Sequence, residues 1–354
     1  MLYYLFTTPL CNLRCKYCGG FRAGIMPEKP IYSISSLQRF LEEDPKVSIA
    51  FYGGEPLLNT EFIERVMENI PAEHFIIQTN ATLIKKLGER YWHHFDTILL
   101  SIDGIREVTD YYRGRGVYNI VLRAAKYLLQ IADADLIARM TVTEKSDIYR
   151  DVLHLLSLQL FHHIHWQLDV VWSDRWRAFD KWVNENYIPQ LKRLVEWWLS
   201  EMETGSVKGI VPFQGIVSMY LGCPQPKPPC GAGSEAYAIL TDGSIVACPI
   251  AVEAKWARVG NIFKDKPSDL PKVESLEPCP SCEMYNVCGG RCLYANRERY
   301  WGEEGFKKIC RISSLLFSYL YGSLPKIKNL LNKGIIKESD LIYPKYLNTT
   351  EIIP

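Results

Sequence analysis

The chain has 354 residues, 47% of them hydrophobic, and its 41 Lys and Arg against 40 Asp and Glu leave a net charge of +1. That length can bury a sizeable core, and the near-zero charge, without blocks of one sign, argues against a nucleic-acid platform. No apolar run approaches the roughly 18 residues of a membrane span, and the first residues lack the basic start and cleavage site of a signal peptide, so a cytoplasmic protein without membrane association is expected.

Short apolar runs at 2–8, 47–52, 74–79, 97–102, 136–142 and 164–171 read as strands. Amphipathic stretches at 35–43, 60–69, 83–93, 119–131 and 147–160 read as helices between them. Strand followed by helix, repeated, predicts an α/β fold with a parallel sheet. The expected architecture is a partial (β/α)6 TIM-like barrel over 1–204, with chemistry at the C-terminal ends of its strands. It closes with an aromatic helix over 179–203, where Trp182, Trp197 and Trp198 pack against the barrel. Residues 205–222 read as a connecting region. A cysteine-rich module over 223–310 shows only short strand signals, near 236–240 and 245–247, around the Asp242-Gly243 turn. The stretch 311–354 is expected to be helical to about Lys333 and irregular beyond.

Eleven cysteines in a chain read as cytoplasmic point to metal ligands rather than disulfides. Cys11, Cys15 and Cys18 follow the first strand with the spacing C-x-x-x-C-x-x-C, where a β/α barrel carries active-site residues. A 4Fe-4S cluster normally takes four thiolates, so three leave one iron open for chemistry. A partial zinc site would want a fourth ligand nearby, and none is near in sequence. The other eight cysteines are Cys223, Cys230, Cys248, Cys279, Cys282, Cys288, Cys292 and Cys310. Their C-x-x-C-like pairs also fit structural zinc.

Polar residues gather at other strand ends. Gly53-Gly54-Glu55-Pro56 ends the second strand, and paired glycines there let backbone approach closely. Asn80 ends the third. Ser101 and Asp103 share one face at the end of the fourth, and Arg113 follows them. On the fifth strand Arg139 and Thr141 lie opposite Met140. On the sixth His165, Gln167 and Asp169 lie opposite Trp166 and Leu168, so the polar face should look into the barrel. Gln167 and Asp169 are the candidate catalytic residues. The histidines at 162, 163 and 165 have no metal-ligand spacing and read as a histidine-rich strand start.

The triplet, with Tyr17 before Cys18, resembles the radical S-adenosylmethionine (radical SAM) superfamily. The resemblance implies that the open iron binds SAM, and that SAM is contacted by Gly53, Gly54, Glu55, Pro56, Asn80, Ser101, Asp103, Arg113 and Arg139. Where this chain has Asn80-Ala81 the family often has Asn-Gly, so a different turn is expected there. The later cysteines are similar to the SPASM module of that superfamily. This implies two fully ligated auxiliary clusters, one on Cys223, Cys230, Cys248 and Cys292 and one on Cys279, Cys282, Cys288 and Cys310. Three 4Fe-4S clusters and SAM would then be the cofactors, and all eleven cysteines are used. The subgroup implies modification of a peptide or protein by crosslinking, oxidation, epimerisation or decarboxylation. It also implies a low-potential flavodoxin- or ferredoxin-type electron donor and a separate leader-peptide-binding protein. One alternative is a sulfatase-maturing oxidation of Ser or Cys, although those enzymes carry Asp where Pro249 follows Cys248. Another is a non-catalytic iron–sulfur or zinc protein for scaffolding or electron transfer.

Overall fold

A computed structural model describes residues 1–22, 24–171 and 176–354. Its strands are β1 (Leu2–Thr8), β2 (Ser48–Gly53), β3 (His74–Thr79), β4 (Thr97–Ser101), β5 (Asp135–Val142), β6 (His163–Leu168), β7 (Ala236–Ile239), β8 (Ser244–Val246) and β9 (Arg258–Asn261). They form one sheet in the order β6-β5-β4-β3-β2-β1-β7-β8-β9. The first six run parallel and their two edges do not pair with each other, so the β/α units stay open. On the far side of β1 the parallel strand β7 takes the edge, and the hairpin to β8 and β9 extends it antiparallel.

The helices are α1 (Ile34–Leu41), α2 (Thr60–Asn69), α3 (Glu89–Trp92), α4 (Arg106–Arg113), α5 (Val117–Ile131), α6 (Ile148–Ser157), α7 (Phe179–Trp182), α8 (Ile188–Glu203), α9 (Val211–Tyr220), α10 (Tyr285–Cys288), α11 (Leu293–Glu298) and α12 (Gly302–Asn332). Local chemistry sets several starts. Ser33 accepts from Ser36 N ahead of α1, and Asp147 accepts from Arg150 N ahead of α6, each satisfying a free helix donor.

Side-chain alternation divides the sheet into two faces. Tyr3, Ile49, Ile77, Leu100, Met140 and Trp166 pack outward on helices such as α2, α5 and α8. Leu2, Tyr4, Ala50, Ile76, Leu99 and Ile137 point inward and meet Val211 and Tyr343. Trp198 is fully buried in the outer layer, as expected of the aromatic helix. That helix is interrupted by a π-turn over Val183–Tyr187.

Two segments differ from expectation, and a third is irregular as expected but buried. The stretch 83–93 is not one helix, because Gly88 separates a 3-10 turn at Ile84–Lys86 from α3. The stretch read as a connection contains α9, whose Pro212 stands in the first turn, where a missing N–H costs nothing. The irregular end of the chain is buried at Leu341, Tyr343 and 348–350, and again at Ile352 and Ile353. Among the described residues no helix is long and apolar enough to cross a membrane.

Candidate active site

The loop after β1 carries Cys11, Cys15 and Cys18 and lies directly on the end of β2. Gly54 N donates to Thr8 O at 2.9 Å and Glu55 N to Leu10 O at 2.8 Å. A Cβ on Gly53, whose φ is +144°, would meet Thr8 O at 2.1 Å, and one on Gly54 would meet Leu10 O at 2.2 Å. Only glycines allow this approach, so the pair seats the cysteine loop. Pro56 opens a short 3-10 turn, and its carbonyl accepts from Thr7 Oγ1 at 3.1 Å.

Glu55 is buried under the loop. Its carboxylate accepts from Leu57 N at 3.1 Å, Thr79 Oγ1 at 2.7 Å and Asn80 N at 2.7 Å, which ties the ends of β2 and β3 together. Burial outweighs these bonds and pushes its pKa up to about 7. The Asn80 side chain donates to Asn12 at 2.9 Å and reaches Cys11 Sγ at 3.8 Å. The turn expected to change for lack of glycine keeps the left-handed conformation. Ala81 has φ 64°, held by Ala81 N donating to Thr79 Oγ1 at 3.0 Å. That conformation costs an L-residue about 1–2 kcal/mol.

Asp103 and Arg113 form the second anchor. Arg113 Nε and Nη2 donate to the two Asp103 oxygens at 2.8 and 2.7 Å, a bidentate pair buried between α4 and the end of β4. Tyr17 OH also donates to Asp103 at 2.9 Å, and Thr141 N at 2.9 Å. Tyr17 stands between two of the cysteines, so this network ties their loop to β4 and β5. Ser101 is buried beside it at the end of β4. Burial pushes the Cys15 thiol up to about 11, with Arg113 opposing the shift.

On β5 and β6 the polar face looks inward, where it meets residues 351–353. Arg139 Nη1 lies 2.7 Å from His165 Nδ1, and Arg139 Nη2 lies 2.9 Å from Glu351 Oε2. Arg always donates, so His165 accepts on Nδ1 and donates from Nε2 to the Glu351 carbonyl at 2.7 Å. Burial, reinforced by Arg139, drives the His165 pKa well down and keeps it neutral. Gln167 Nε2 donates to the carbonyls of Glu351 at 2.8 Å and Ile353 at 3.2 Å. Asp169 follows β6, and its carbonyl accepts from Trp176 Nε1 at 2.7 Å. His162 accepts from Leu136 N at 2.9 Å, and His163 pairs with Asp135 at 2.7 Å, so both serve the strand edges.

Sequence reasoning missed Glu351, which lacks any local motif, and Tyr52, which follows a strand pattern shared by many core tyrosines. Tyr52 lies where Glu351, Arg139, Cys248 and Cys18 all act on its hydroxyl, after the dominant effect of burial.

All eleven cysteines are free thiols. Cys248 is buried and Cys230 and Cys292 are half-buried; the three act on one another, and burial drives the Cys230 pKa up to about 12. Cys223 is half-buried, with its N–H bonded to Ser218 O after α9, and it is not among the main influences on those three. Cys279, Cys282, Cys288 and Cys310 line a cavity of about 80 Å³, next to Arg291. Thiols such as Cys230, Cys248 and Cys288, which burial makes reluctant to ionise, suit a metal cluster, whose charge stabilises thiolates. Among the described residues, no three His, Cys, Asp or Glu side chains form a group that could hold a single metal ion. A cleft of about 460 Å³ opens between Tyr17, Gly20 and Phe21 on the cysteine loop and Ile250, Val252 and Tyr294 opposite.

The radical SAM superfamily model matches residues 5–143. The chain is 25% identical over 361 residues to the cysteine-type anaerobic sulfatase-maturating enzyme of Clostridium perfringens, covering 91% of this chain and 95% of that protein. It is 24% identical over 315 residues to mycofactocin maturase MftC of Mycolicibacterium smegmatis, covering 81% and 76%. Among solved structures, native anSMEcpe with bound AdoMet superposes with a TM-score of 0.70 at 20% identity, over 94% of this chain and 100% of that one. Streptococcus suis SuiB bound to precursor peptide SuiA superposes with a TM-score of 0.56 at 16% identity, over 83% and 72%. These likenesses show a shared α/β fold with a mostly parallel sheet.

Proposed function

Residues 5–143 are a radical SAM domain and the chain is an enzyme of the radical SAM class, and from that premise we propose that it modifies a peptide or protein through hydrogen abstraction. The observation that carries this is the cysteine loop, seated on Gly53 and Gly54 and tied down by Asn80 and by the Tyr17–Asp103–Arg113 network. When bound at Cys11, Cys15 and Cys18, a 4Fe-4S cluster supplies the electron that cleaves SAM to methionine and a 5′-deoxyadenosyl radical.

The chain's own residues bind and orient. Gly53 and Gly54 present backbone toward SAM at the end of β2, Pro56 fixes the turn that follows, and Glu55 and Asp103 hold the strand ends from beneath. Arg113, Arg139, Asn80 and Ser101 offer donors of the kind a carboxylate needs. Asp169 and Gln167 lie further along the same face. We assign Cys223, Cys230, Cys248 and Cys292 to one auxiliary 4Fe-4S cluster and Cys279, Cys282, Cys288 and Cys310 to another, both within 223–310. The cleft beside Tyr17 admits the substrate. A flavodoxin- or ferredoxin-type protein delivers electrons, and a separate protein presents any leader peptide.

The test is anaerobic incubation of the reconstituted, reduced chain with SAM. It should hold about twelve irons and release 5′-deoxyadenosine; a chain with all its iron that releases none refutes the reading. A second reading, oxidation of a sulfatase Ser or Cys to formylglycine, is favoured by the 91% coverage against the sulfatase-maturating enzyme. Pro249 after Cys248 weighs against it. Mass spectrometry of a cysteine-bearing sulfatase peptide after turnover separates the two.

A further inference from the structure

Residues 343–354 climb the inner face of the sheet. Near the start of this segment, Tyr343 OH donates to Asp135 at 2.8 Å and its ring stacks on His163 at 4.1 Å. The Tyr346 hydroxyl shares a 2.6 Å hydrogen bond with Thr97, and its ring stacks on His74 at 3.8 Å. These four partners are the first residues of β3, β4, β5 and β6. Glu351 lies level with Arg139, four residues further along β5 than Asp135, or about 13 Å at the rise of a strand. Ile352 fills the space that a side chain on Gly215 would take, with its Cγ2 2.4 Å from where that Cβ would be. Beyond it, the Pro354 carbonyl accepts from Arg291 Nε at 2.7 Å, one residue before Cys292.

We propose that this segment is a working part of the reaction cavity, and that Glu351 is a positioning residue that orients Arg139 toward bound SAM. Because it takes Arg139 as a SAM contact, this rests on the functional reading above. The backbone of Glu351 is fixed by His165 and Gln167, so its carboxylate is delivered to one place. Arg139 is then gripped from two sides, by the neutral His165 ring and by the Glu351 carboxylate. Held so, a guanidinium loses little further freedom when it meets an anion. Glu351 Oε2 lies 2.9 Å from Arg139 Nη2, is itself buried and accepts no well-aligned hydrogen bond. The same carboxylate acts on Tyr4, Tyr52 and the thiols of Cys230, Cys248 and Cys292, so its charge faces one of the cysteine sets. The segment thus runs from the first residues of β3–β6 up to Gln167, next to the last residue of β6.

The experiment compares the full cluster-loaded chain with Glu351→Ala, Glu351→Gln, Arg139→Ala and the Glu351→Ala/Arg139→Ala pair. Equilibrium dialysis reads SAM affinity, while iron content and the melting temperature of the metal-free chain report on folding. Glu351→Ala and Arg139→Ala should each weaken SAM binding about tenfold, as when the partner that orients a ligand is lost, with iron and melting unchanged. Glu351→Gln keeps an acceptor and should recover most of the affinity. The double variant should bind no more weakly than Arg139→Ala alone, because Glu351 acts through Arg139. Wild-type affinity in Glu351→Ala, or a loss that only tracks lower melting, overturns the inference. Wild-type affinity in Arg139→Ala also overturns it, yet leaves the functional reading intact if the wild type still forms 5′-deoxyadenosine.

Discussion

Replacing Asp103 by Ala isolates the network that anchors the cysteine loop. Asp103 is fully buried and Arg113 is 7% exposed. The substitution strands the guanidinium away from water with no counter-charge, and it leaves Tyr17 OH and Thr141 N without their acceptor. Removing one partner of a buried pair costs about 3–5 kcal/mol. The lost neutral donors do not add in full, because they share the same carboxylate. Against a typical domain stability of about 5–15 kcal/mol, the change removes a large fraction. Tyr17→Phe deletes one hydrogen bond to a charged group and should cost about 1.5 kcal/mol. Asp103→Ala/Arg113→Met replaces the pair with apolar groups and should recover at least about 2 kcal/mol of the Asp103→Ala loss. Urea unfolding of the metal-free chain reads all three. A loss under about 1 kcal/mol for Asp103→Ala, or no recovery in the double variant, would show that the pair is solvated in solution and does not hold the loop.

Gly53→Ala forces a Cβ onto the Thr8 carbonyl at a positive φ, so it should cost at least about 3 kcal/mol and lower the iron bound by the Cys11, Cys15 and Cys18 loop, read by soluble yield and iron analysis. His165 is neutral in the folded chain because burial and then Arg139 depress its pKa. Unfolded, it takes a proton near 6.5, so its contribution is complete above that pH and falls by up to about 1.4 kcal/mol per unit below it. Relative to the metal-free wild type, His165→Asn should therefore show a shallower loss of stability between pH 6.5 and 5, and parallel curves would refute the sign. Cys282→Ser and Cys11→Ser should each remove about four irons per chain, and only Cys11→Ser should abolish SAM binding.

The parts most legible in the sequence were those with local signatures. Strands β1 and β3 fall on their expected limits, because short runs rich in β-branched and aromatic residues declare a strand. The inward turn of Arg139, His165 and Gln167 followed from alternation alone. Helix α4 was obscured because its sequence, REVTDYYR, is mostly polar and buries only Val108, Thr109, Tyr112 and Arg113. Helix α9 was obscured by Pro212 and Gly215, which read as linker residues until Ile352 is seen to need the space at Gly215. Residues 343–354 have no periodicity, and their order comes from partners such as Thr97 and Asp135, more than 200 positions away. Such long-range contacts leave no trace in a local window.

The pairing of β7 with β1 bears on how the chain is made. Leu2 is in register with Ala236, so the strand that leads into the cysteine loop lacks one neighbour until more than 230 residues have been synthesised. During that interval its edge is open to other chains and prone to aggregation. Contacts of such sequence separation also slow folding. Slow or failed docking of β7 should therefore lower the soluble yield of the chain, and added chaperone should raise it.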